Sequence, residues 1–346
     1  MKLEQRIFSF SRLGEILRSQ LPDHLFKAME EAETENPWFT PENVLLAIRY
    51  WGSSLNQSTL DRWLDPYRAR IMAITEPKRV GVVMAGNIPM VGFHDMLSVL
   101  VTGHHLIARL SSQDSKLIPA IVEQLMSIDP EWKEFLTLTT SEIERPDAMI
   151  ATGSNNTSRY FSYYFGKYPH IIRKNRTGVA VLDGYESVAE LKEIASDIFS
   201  YFGLGCRNIS KLYLPQGYDL KPLHEAFLQY QKIFHHPKYR NNIDYYKSIC
   251  LVNRKRFLDG VFYLLMESDS TATPVAVLHY EYYKDIQQVS SALSRKEDEI
   301  QCIVVRDGLV ATFKNSGMVS PGETQNPSLS DYADGVDTMK FLLEKI

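Results

Sequence analysis

Cysteine is scarce. Cys206, Cys250 and Cys302 are the only three in 346 residues. They are odd in number, widely spaced and form no Cys-x-x-Cys, so neither a disulfide framework nor a cysteine zinc site is expected. A run of apolar residues long enough to cross a bilayer is also missing, which argues against membrane insertion. The opening residues, Met1-Lys-Leu-Glu-Gln-Arg6, lack the apolar segment of a secretory leader, and a cytoplasmic location is the expectation. Nor is there an excess of positive charge. The 38 lysines and arginines against 42 aspartates and glutamates leave −4, which gives no ground for nucleic-acid binding. Repeats and low-complexity tracts are absent too. What remains is an ordinary globular composition, 44% hydrophobic and 23% charged, in a chain longer than one core usually holds, so two subdomains are expected.

Residues 1–76 read as helical and amphipathic. Thr40 before Pro41 is a helix start, a hydroxyl cap followed by a proline at the first helical position. A further helix near residues 60–71 places Trp63, Leu64 and Tyr67 at helical spacing, which reads as core. The pattern then changes. Arg79-Val-Gly-Val-Val-Met-Ala85 is a short apolar run of the kind found in buried parallel strands. Gly86-Asn87-Ile88-Pro89 is a turn, and residues 90–101 form an apolar helix closed by Gly103. His105 to Leu110, Asp147 to Ala151 and Gly178 to Leu182 read as further strands, with helices at 116–128 and 156–165. This alternation predicts an α/β domain with a parallel sheet over 77–182. A second unit, 183–325, takes the helix 187–202, the strand 211–215, a long helical region to about 255, a strand over Thr273–His279, a helix at 285–293 and the strand Gln301–Val305. Residues 326–346 form a closing tail at a subunit or domain boundary.

Several positions carry chemical content. Cys206 lies in Gly203-Leu-Gly-Cys206-Arg207-Asn208, between a long helix and a strand and beside a cation. A reactive thiolate is expected in such a setting, although most intracellular cysteines are small buried packing residues. Asn87 follows the first strand of the sheet, where its amide suits a developing oxyanion or simply a turn. Arg109 ends the second strand, with Ser111 and Ser112 after it. Ligands of open α/β sheets bind at that edge, and an ordinary surface arginine is the alternative. Thr152-Gly153-Ser154 follows a strand and opens a helix, an arrangement that suits a phosphate or no more than a capped helix. The pairs His104-His105 and His235-His236 point to opposite faces when extended and have no ligand partner at chelating spacing, so they read as structural and no metal is expected. The aromatic run Tyr160 to Phe165 reads as core and interface.

Taken in order, these segments resemble the aldehyde dehydrogenase superfamily. More narrowly, they resemble the acyl-CoA reductase family that includes the reductase component of bacterial bioluminescence systems. Gly81 to Pro89 is similar to the strand and turn with the family's oxyanion asparagine. Gly103 to Ser111 resembles the segment that grips the adenosine ribose, with Arg109 where the wider superfamily has lysine. Ala151 to Ser154 looks like the nucleotide-binding turn, and Gly203 to Cys206 like the nucleophile loop. The resemblance covers residue 79 onward.

It implies an aldehyde dehydrogenase-like α/β fold of two Rossmann-like parallel-sheet subdomains. The first, 77–182 together with the helical residues 1–76, would bind nucleotide, and 183–325 would carry the nucleophile. The implied activity is NADPH-dependent reduction of a fatty acyl-CoA to the aldehyde through a Cys206 thioester, with NADH as the alternative cofactor and coenzyme A as product. Cys206 and Asn87 would be catalytic, while Arg109, Ser111, Thr152, Gly153 and Ser154 would bind the cofactor. A homodimer and an acyl-activating partner enzyme are also implied. Reduction of an acyl phosphate and a non-catalytic binding or assembly role are the other readings. Two departures bear on the choice. Ile172 to Thr177 holds no carboxylate where hydrolytic relatives carry a glutamate, which favours acyl exchange over acid production. Ser270-Thr-Ala-Thr-Pro274 replaces the family's ribose-binding Glu-x-Phe-Gly-Pro. The basic run Arg173-Lys174-Arg176 suits the phosphates of coenzyme A or a solvated turn.

Overall fold

The computed structural model describes residues 1–153, 155–313 and 317–346. The chain divides into two compact units, one of residues 1–175 with 328–346 and one of residues 176–327. All four tryptophans, Trp38, Trp51, Trp63 and Trp132, belong to the first unit.

The first unit opens with five helices, α1 (Leu3–Arg18), α2 (Asp23–Glu35), α3 (Pro41–Ser54), α4 (Gln57–Leu64) and α5 (Arg68–Met72). Thr40 caps α3 as its sequence predicts, its side chain accepting from the Asn43 N–H. Then come β1 (Arg79–Val83), α6 (Phe93–Thr102), β2 (His105–Arg109), α7 (Leu117–Ile128), β3 (Leu136–Thr139), β4 (Ala148–Thr152), α8 (Asn155–Phe165) and β5 (His170–Arg173). The sheet is parallel throughout, in the order β3-β2-β1-β4-β5. From β1 the chain steps outward through β2 to β3, then returns to the other side of β1 with β4. The order therefore reverses at the β1/β4 boundary, the place in such sheets where a crevice opens at the carboxyl ends of the strands. α6 is buried along its length except at half-buried His94, and its polar residues Asp95, Ser98 and Thr102 are buried with the apolar ones.

The second unit contains β6 (Thr177–Val181), α9 (Val188–Phe199), β7 (Ile209–Pro215), α10 (Leu220–Phe227), α11 (Pro237–Val252), β8 (Leu258–Asp259), β9 (Leu264–Glu267), β10 (Val277–Tyr283), α12 (Ile286–Arg295), β11 (Ile300–Val304) and β12 (Met318–Val319). Its seven strands run β12-β11-β6-β7-β10-β9-β8, parallel except for the β8–β9 pair. One side of the sheet is closed by an apolar cluster that includes Val179, Val181, Tyr213, Leu293 and Ile303.

Two sequence expectations are corrected here. The strand Gly178–Leu182, assigned to the first sheet, is β6 of the second, paired with β11 and β7. A buried parallel strand has the same apolar signature whichever sheet receives it. The strand expected over Thr273–His279 begins later, at Val277, because Ala276 adopts a left-handed φ of 68° that no strand continues through. The tail completes the first unit. Its helix α13 (Thr338–Glu344) follows Tyr332, whose hydroxyl accepts from Trp63 Nε1 at 2.8 Å, and His104 Nε2 bonds the Leu342 carbonyl at 3.1 Å.

Candidate active site

In the second unit, a capping box starts α9. Ser187 accepts from the Glu190 N–H, and Glu190 reaches back to the Ser187 N–H at 2.7 Å. The helix stops at Phe199, ahead of the glycines that the sequence suggests as its breakers. Tyr201, Phe202 and Gly203 then take left-handed φ values of 53°, 58° and 74°. Each non-glycine residue in that region costs about 1–3 kcal/mol, and here the two rings are buried, which holds them in place. The chain turns at Gly205-Cys206-Arg207-Asn208, closed by the Asn208 N–H donating to the Gly205 carbonyl at 3.1 Å. Cys206 is half-buried at the first central position of this turn, and β7 begins immediately after it.

The turn is tied down from several sides. Buried Asn208 accepts from the Gly205 N–H through Oδ1 at 2.8 Å, and its Nδ2 donates to the carbonyls of Asp197 and Ser200, each at 2.9 Å. The Asn208 carbonyl accepts from the Gly178 N–H at 3.0 Å, which fastens the turn to β6. Cys302 on β11 directs its thiol to the Arg207 carbonyl at 3.5 Å. Ser210 donates to the carbonyls of Gly178 at 3.2 Å and Thr271 at 2.6 Å, so the divergent Ser270–Pro274 segment borders the same end of β6 and β7 as Cys206. Beneath α9, the Asp197 carboxylate accepts from the Gly322 N–H, the Thr324 N–H and the Thr324 hydroxyl at 2.8, 3.2 and 2.7 Å. Burial pushes this carboxyl up to about 6. On β7, buried Lys211 is paired with Glu281 at 2.6 Å, and desolvation holds its ammonium below the ordinary lysine value. A cavity of about 410 Å³ opens at the other end of β6 and β7, lined by residues that include Asp183, Glu186, Tyr218 and Asp219.

In the first unit, the predicted catalytic residue Asn87 and the predicted cofactor residues lie at the carboxyl ends of three adjacent strands, Asn87 after β1 and the cofactor residues at β2 and β4. Asn87 is exposed in the loop after β1, Arg109 is exposed at the end of β2, and Thr152 ends β4 with Gly153 directly after it. Ser154 lies outside the described residues. The loops after β1 and β2 touch, since a Cβ on Gly86 would stand 2.4 Å from Ser111 Oγ. A Cβ on Gly153 would stand 2.9 Å from the Phe161 ring, so its absence lets α8 approach the end of β4. Buried Asp114 accepts from the N–H of Met90, a residue held at φ 58°, and thereby fixes the segment after Asn87. Desolvation pushes Asp114 up to about 6.

Sequence reasoning missed Asp114, Asp197, Asn208 and Lys211, because a polar residue destined for burial carries no local mark. It also left Arg173 and Arg176 open as phosphate contacts, which the structure corrects. Arg173 is buried on Asp95 at 2.5 Å, the Ala333 carbonyl and Thr338, and Arg176 donates to the carbonyls of Glu297 and Ile300. Of the aromatic run, Phe161 and Phe165 stack on each other while Tyr160, Tyr163 and Tyr164 are exposed. Among the described residues, no helix is long and apolar enough to cross a membrane, and no group of three or more His, Cys, Asp or Glu is arranged to hold a metal ion.

Two largely parallel sheets, each with its own helices, together with a cysteine-bearing turn between helix and strand, define an aldehyde dehydrogenase-like fold. Solved structures agree. Aldehyde dehydrogenase 21 from Physcomitrella patens superposes with a TM-score of 0.66 over 99% of this chain and 84% of its own, at 12% identity. An acetylating aldehyde dehydrogenase from Geobacillus thermoglucosidasius gives 0.62 over 96% and 84%, at 10% identity. Indole-3-acetaldehyde dehydrogenase AldA of P. syringae, solved with NAD+, gives 0.66 over 93% and 77%, at 11% identity. Within this class, the chain belongs to the acyl-CoA reductase (LuxC) family, whose profile matches residues 37–226. It is 23% identical over 239 residues to a long-chain acyl-protein thioester reductase of Aliivibrio fischeri, covering 63% of this chain and 48% of that protein. A second such reductase, from Photobacterium leiognathi, is 22% identical over 214 residues, 57% of this chain and 44% of its own. The chain thus spans about half the length of the curated relatives it matches.

Proposed function

We propose that this chain reduces a long-chain acyl thioester to the corresponding aldehyde, with Cys206 as nucleophile and a nicotinamide cofactor as reductant. The observation that carries the reading is the setting of Cys206, at the tip of a braced turn between α9 and β7 in a member of the acyl-CoA reductase family. The Cys206 thiolate attacks the thioester carbonyl carbon. A carbon–sulfur bond forms to Cys206, the bond to the carrier breaks, and the carrier leaves as a thiol after taking a proton. This covalent step divides one difficult reduction into two easier ones. A bound NADPH would supply the hydride. Collapse of the resulting hemithioacetal oxyanion returns the electron pair to the Cys206 sulfur and frees the aldehyde. The Asn87 amide and the Cys206 backbone N–H are assigned to the oxyanion. The missing carboxylate between Ile172 and Thr177 leaves water without a general base, so acyl transfer outruns hydrolysis.

The first unit's edge suits a dinucleotide. Thr152, Gly153 and Ser111 are assigned to its phosphates and Arg109 to the adenosine ribose. A guanidinium matches a 2′-phosphate, so NADPH is expected to be used more efficiently than NADH, and equal kcat/KM values would reject that assignment. The family's description points to coenzyme A as carrier and the two curated relatives are named for acyl-protein thioesters, so both carriers belong in the assay. A homodimer and a partner enzyme that loads the acyl carrier belong to the same proposal.

The test is NADPH consumption by the purified protein with an acyl-CoA chain-length series and an acyl-protein thioester, beside Cys206→Ser. Consumption that disappears in the variant is expected. Consumption with acyl phosphate alone would replace the thioester reading, and a folded protein that consumes NADPH with none of these substrates would leave a binding role in its place.

A further inference from the structure

We propose that Asn208 is the positioning residue of the Cys206 turn. The inference rests on the thiol-based reduction above and adds a residue that acts through the backbone of the nucleophile. A carboxamide offers one acceptor oxygen and two N–H donors, and here all are engaged. Oδ1 takes the Gly205 N–H at 2.8 Å, while Nδ2 donates to Asp197 O and Ser200 O at 2.9 Å each. An N–H on one side and two carbonyls on the other fix which end is oxygen and which is nitrogen.

The two carbonyls belong to the last turn of α9 and the residue that caps it. Helix-end carbonyls lack a partner further along the helix, and the left-handed residues Tyr201 and Phe202 have already turned the chain away. Asn208 thus joins the end of the helix to the far side of the turn. Its own N–H donates to the Gly205 carbonyl at 3.1 Å, so the residue before the nucleophile is gripped at both its N–H and its C=O. Gly205 C=O and Cys206 N–H lie in one planar trans peptide. The side-chain bonds hold residue 208 where its main-chain N–H meets that carbonyl, and so set the direction of the Cys206 N–H, the group assigned to the oxyanion. An asparagine that served the fold alone would affect stability and leave the chemistry of Cys206 as it was.

The experiment uses the full chain with Asn208→Ala and Asn208→Asp. It measures turnover, thioester KM and the rate of iodoacetamide alkylation of each cysteine by peptide mass spectrometry. Cys250 and Cys302 are buried, so their protection reports that a variant is folded. For Asn208→Ala, turnover is expected to fall about 10²-fold, as when an oxyanion donor is lost. KM should stay within about threefold, because substrate binding is spared. The alkylation rate of Cys206 should change by about tenfold or more as the turn loosens. Asn208→Asp keeps the acceptor and loses both donors, so it should also be slowed at least about tenfold. Turnover or a Cys206 alkylation rate within about twofold of the parent in folded Asn208→Ala would overturn the assignment, as would parent-like turnover in Asn208→Asp. Should both variants label at Cys250 and Cys302, the parent decides through hydrogen exchange. The Gly205 N–H is expected to be slowed about 100-fold or more, and exchange at the open-chain rate overturns the proposal. A parent that reduces no thioester removes the proposed function, and the alkylation and exchange results still judge Asn208.

Discussion

Gly178 lies on β6 against the underside of the Cys206 turn. A Cβ at this position would stand 2.6 Å from the Arg207 carbonyl oxygen and 2.8 Å from that of Asn208. Both obstacles are backbone atoms, so no side chain can swing aside, and the strand or the turn must shift by several tenths of an ångström. The shift also strains the Gly178 N–H to Asn208 O bond, 3.0 Å in the native chain. Overpacking of this kind costs about 1–3 kcal/mol, and a weakened hydrogen bond adds about 1 kcal/mol, so Gly178→Ala should lose about 2–4 kcal/mol. Because the displaced turn carries Cys206, the proposed nucleophile, turnover should fall at least about tenfold, since a misplacement of about 1 Å can cost 10²-fold. Urea unfolding followed by circular dichroism measures the first effect as a lower midpoint at unchanged slope, and thioester reduction at saturating substrate measures the second. Stability within about 0.5 kcal/mol of the parent, together with normal turnover, would refute the claim that β6 and the Cys206 turn are in backbone contact.

Asn87→Ala should remain folded and lose about 10²–10³ in turnover, and near-normal turnover would remove Asn87 from the oxyanion. Asp114 and Asp197 are held at about 6 in the folded chain against an ordinary 3.8. The folded state therefore binds more protons than the unfolded state between about pH 4 and 6, so their joint effect is a stability that is greatest below this window and falls as pH rises through it. Each is worth about 3 kcal/mol. Asn at position 114 (Asp114→Asn) should remove about half of this loss in urea titrations across the window, and an unchanged pH slope would refute the reading. Tyr332→Phe takes away the oxygen that accepts from buried Trp63 Nε1, so a loss of about 1–3 kcal/mol is expected by tryptophan fluorescence, whereas an unchanged midpoint would mean the bond contributes nothing net.

The fold class was legible because it rests on features a sequence displays directly: apolar strand runs, helical periodicity, and turn residues between them. Cys206 could be placed in a loop because Gly203 and Gly205 precede it, and Asn87, Arg109 and Thr152 because each lies at or just after the end of a strand. Strand partnership was a different matter. Nothing in Thr177–Val181 marks it for the second sheet, since its pairing is settled by β7 and β11, elements that lie further along the chain. The short strands β3 and β5 escaped notice for a related reason. Leu136-Thr-Leu-Thr139 and His170-Ile-Ile-Arg173 are four residues each, half polar, and only neighbouring strands give them extended structure. Arg173 read as a surface cation because its partners Asp95 and Thr338 are distant in sequence. Asn208 drew no role from the sequence, and only the folded loop shows its three side-chain bonds.

The return of residues 328–346 to the first unit has a consequence for how the protein is made. Trp63 and His104 leave the ribosome early, yet Tyr332 and Leu342, which they bond, emerge only after the entire second unit has been synthesised. The first unit begins folding first and closes last. Throughout that interval Trp63 and His104 wait for these partners, and the second unit forms while only its leading connection is joined to an unfinished neighbour.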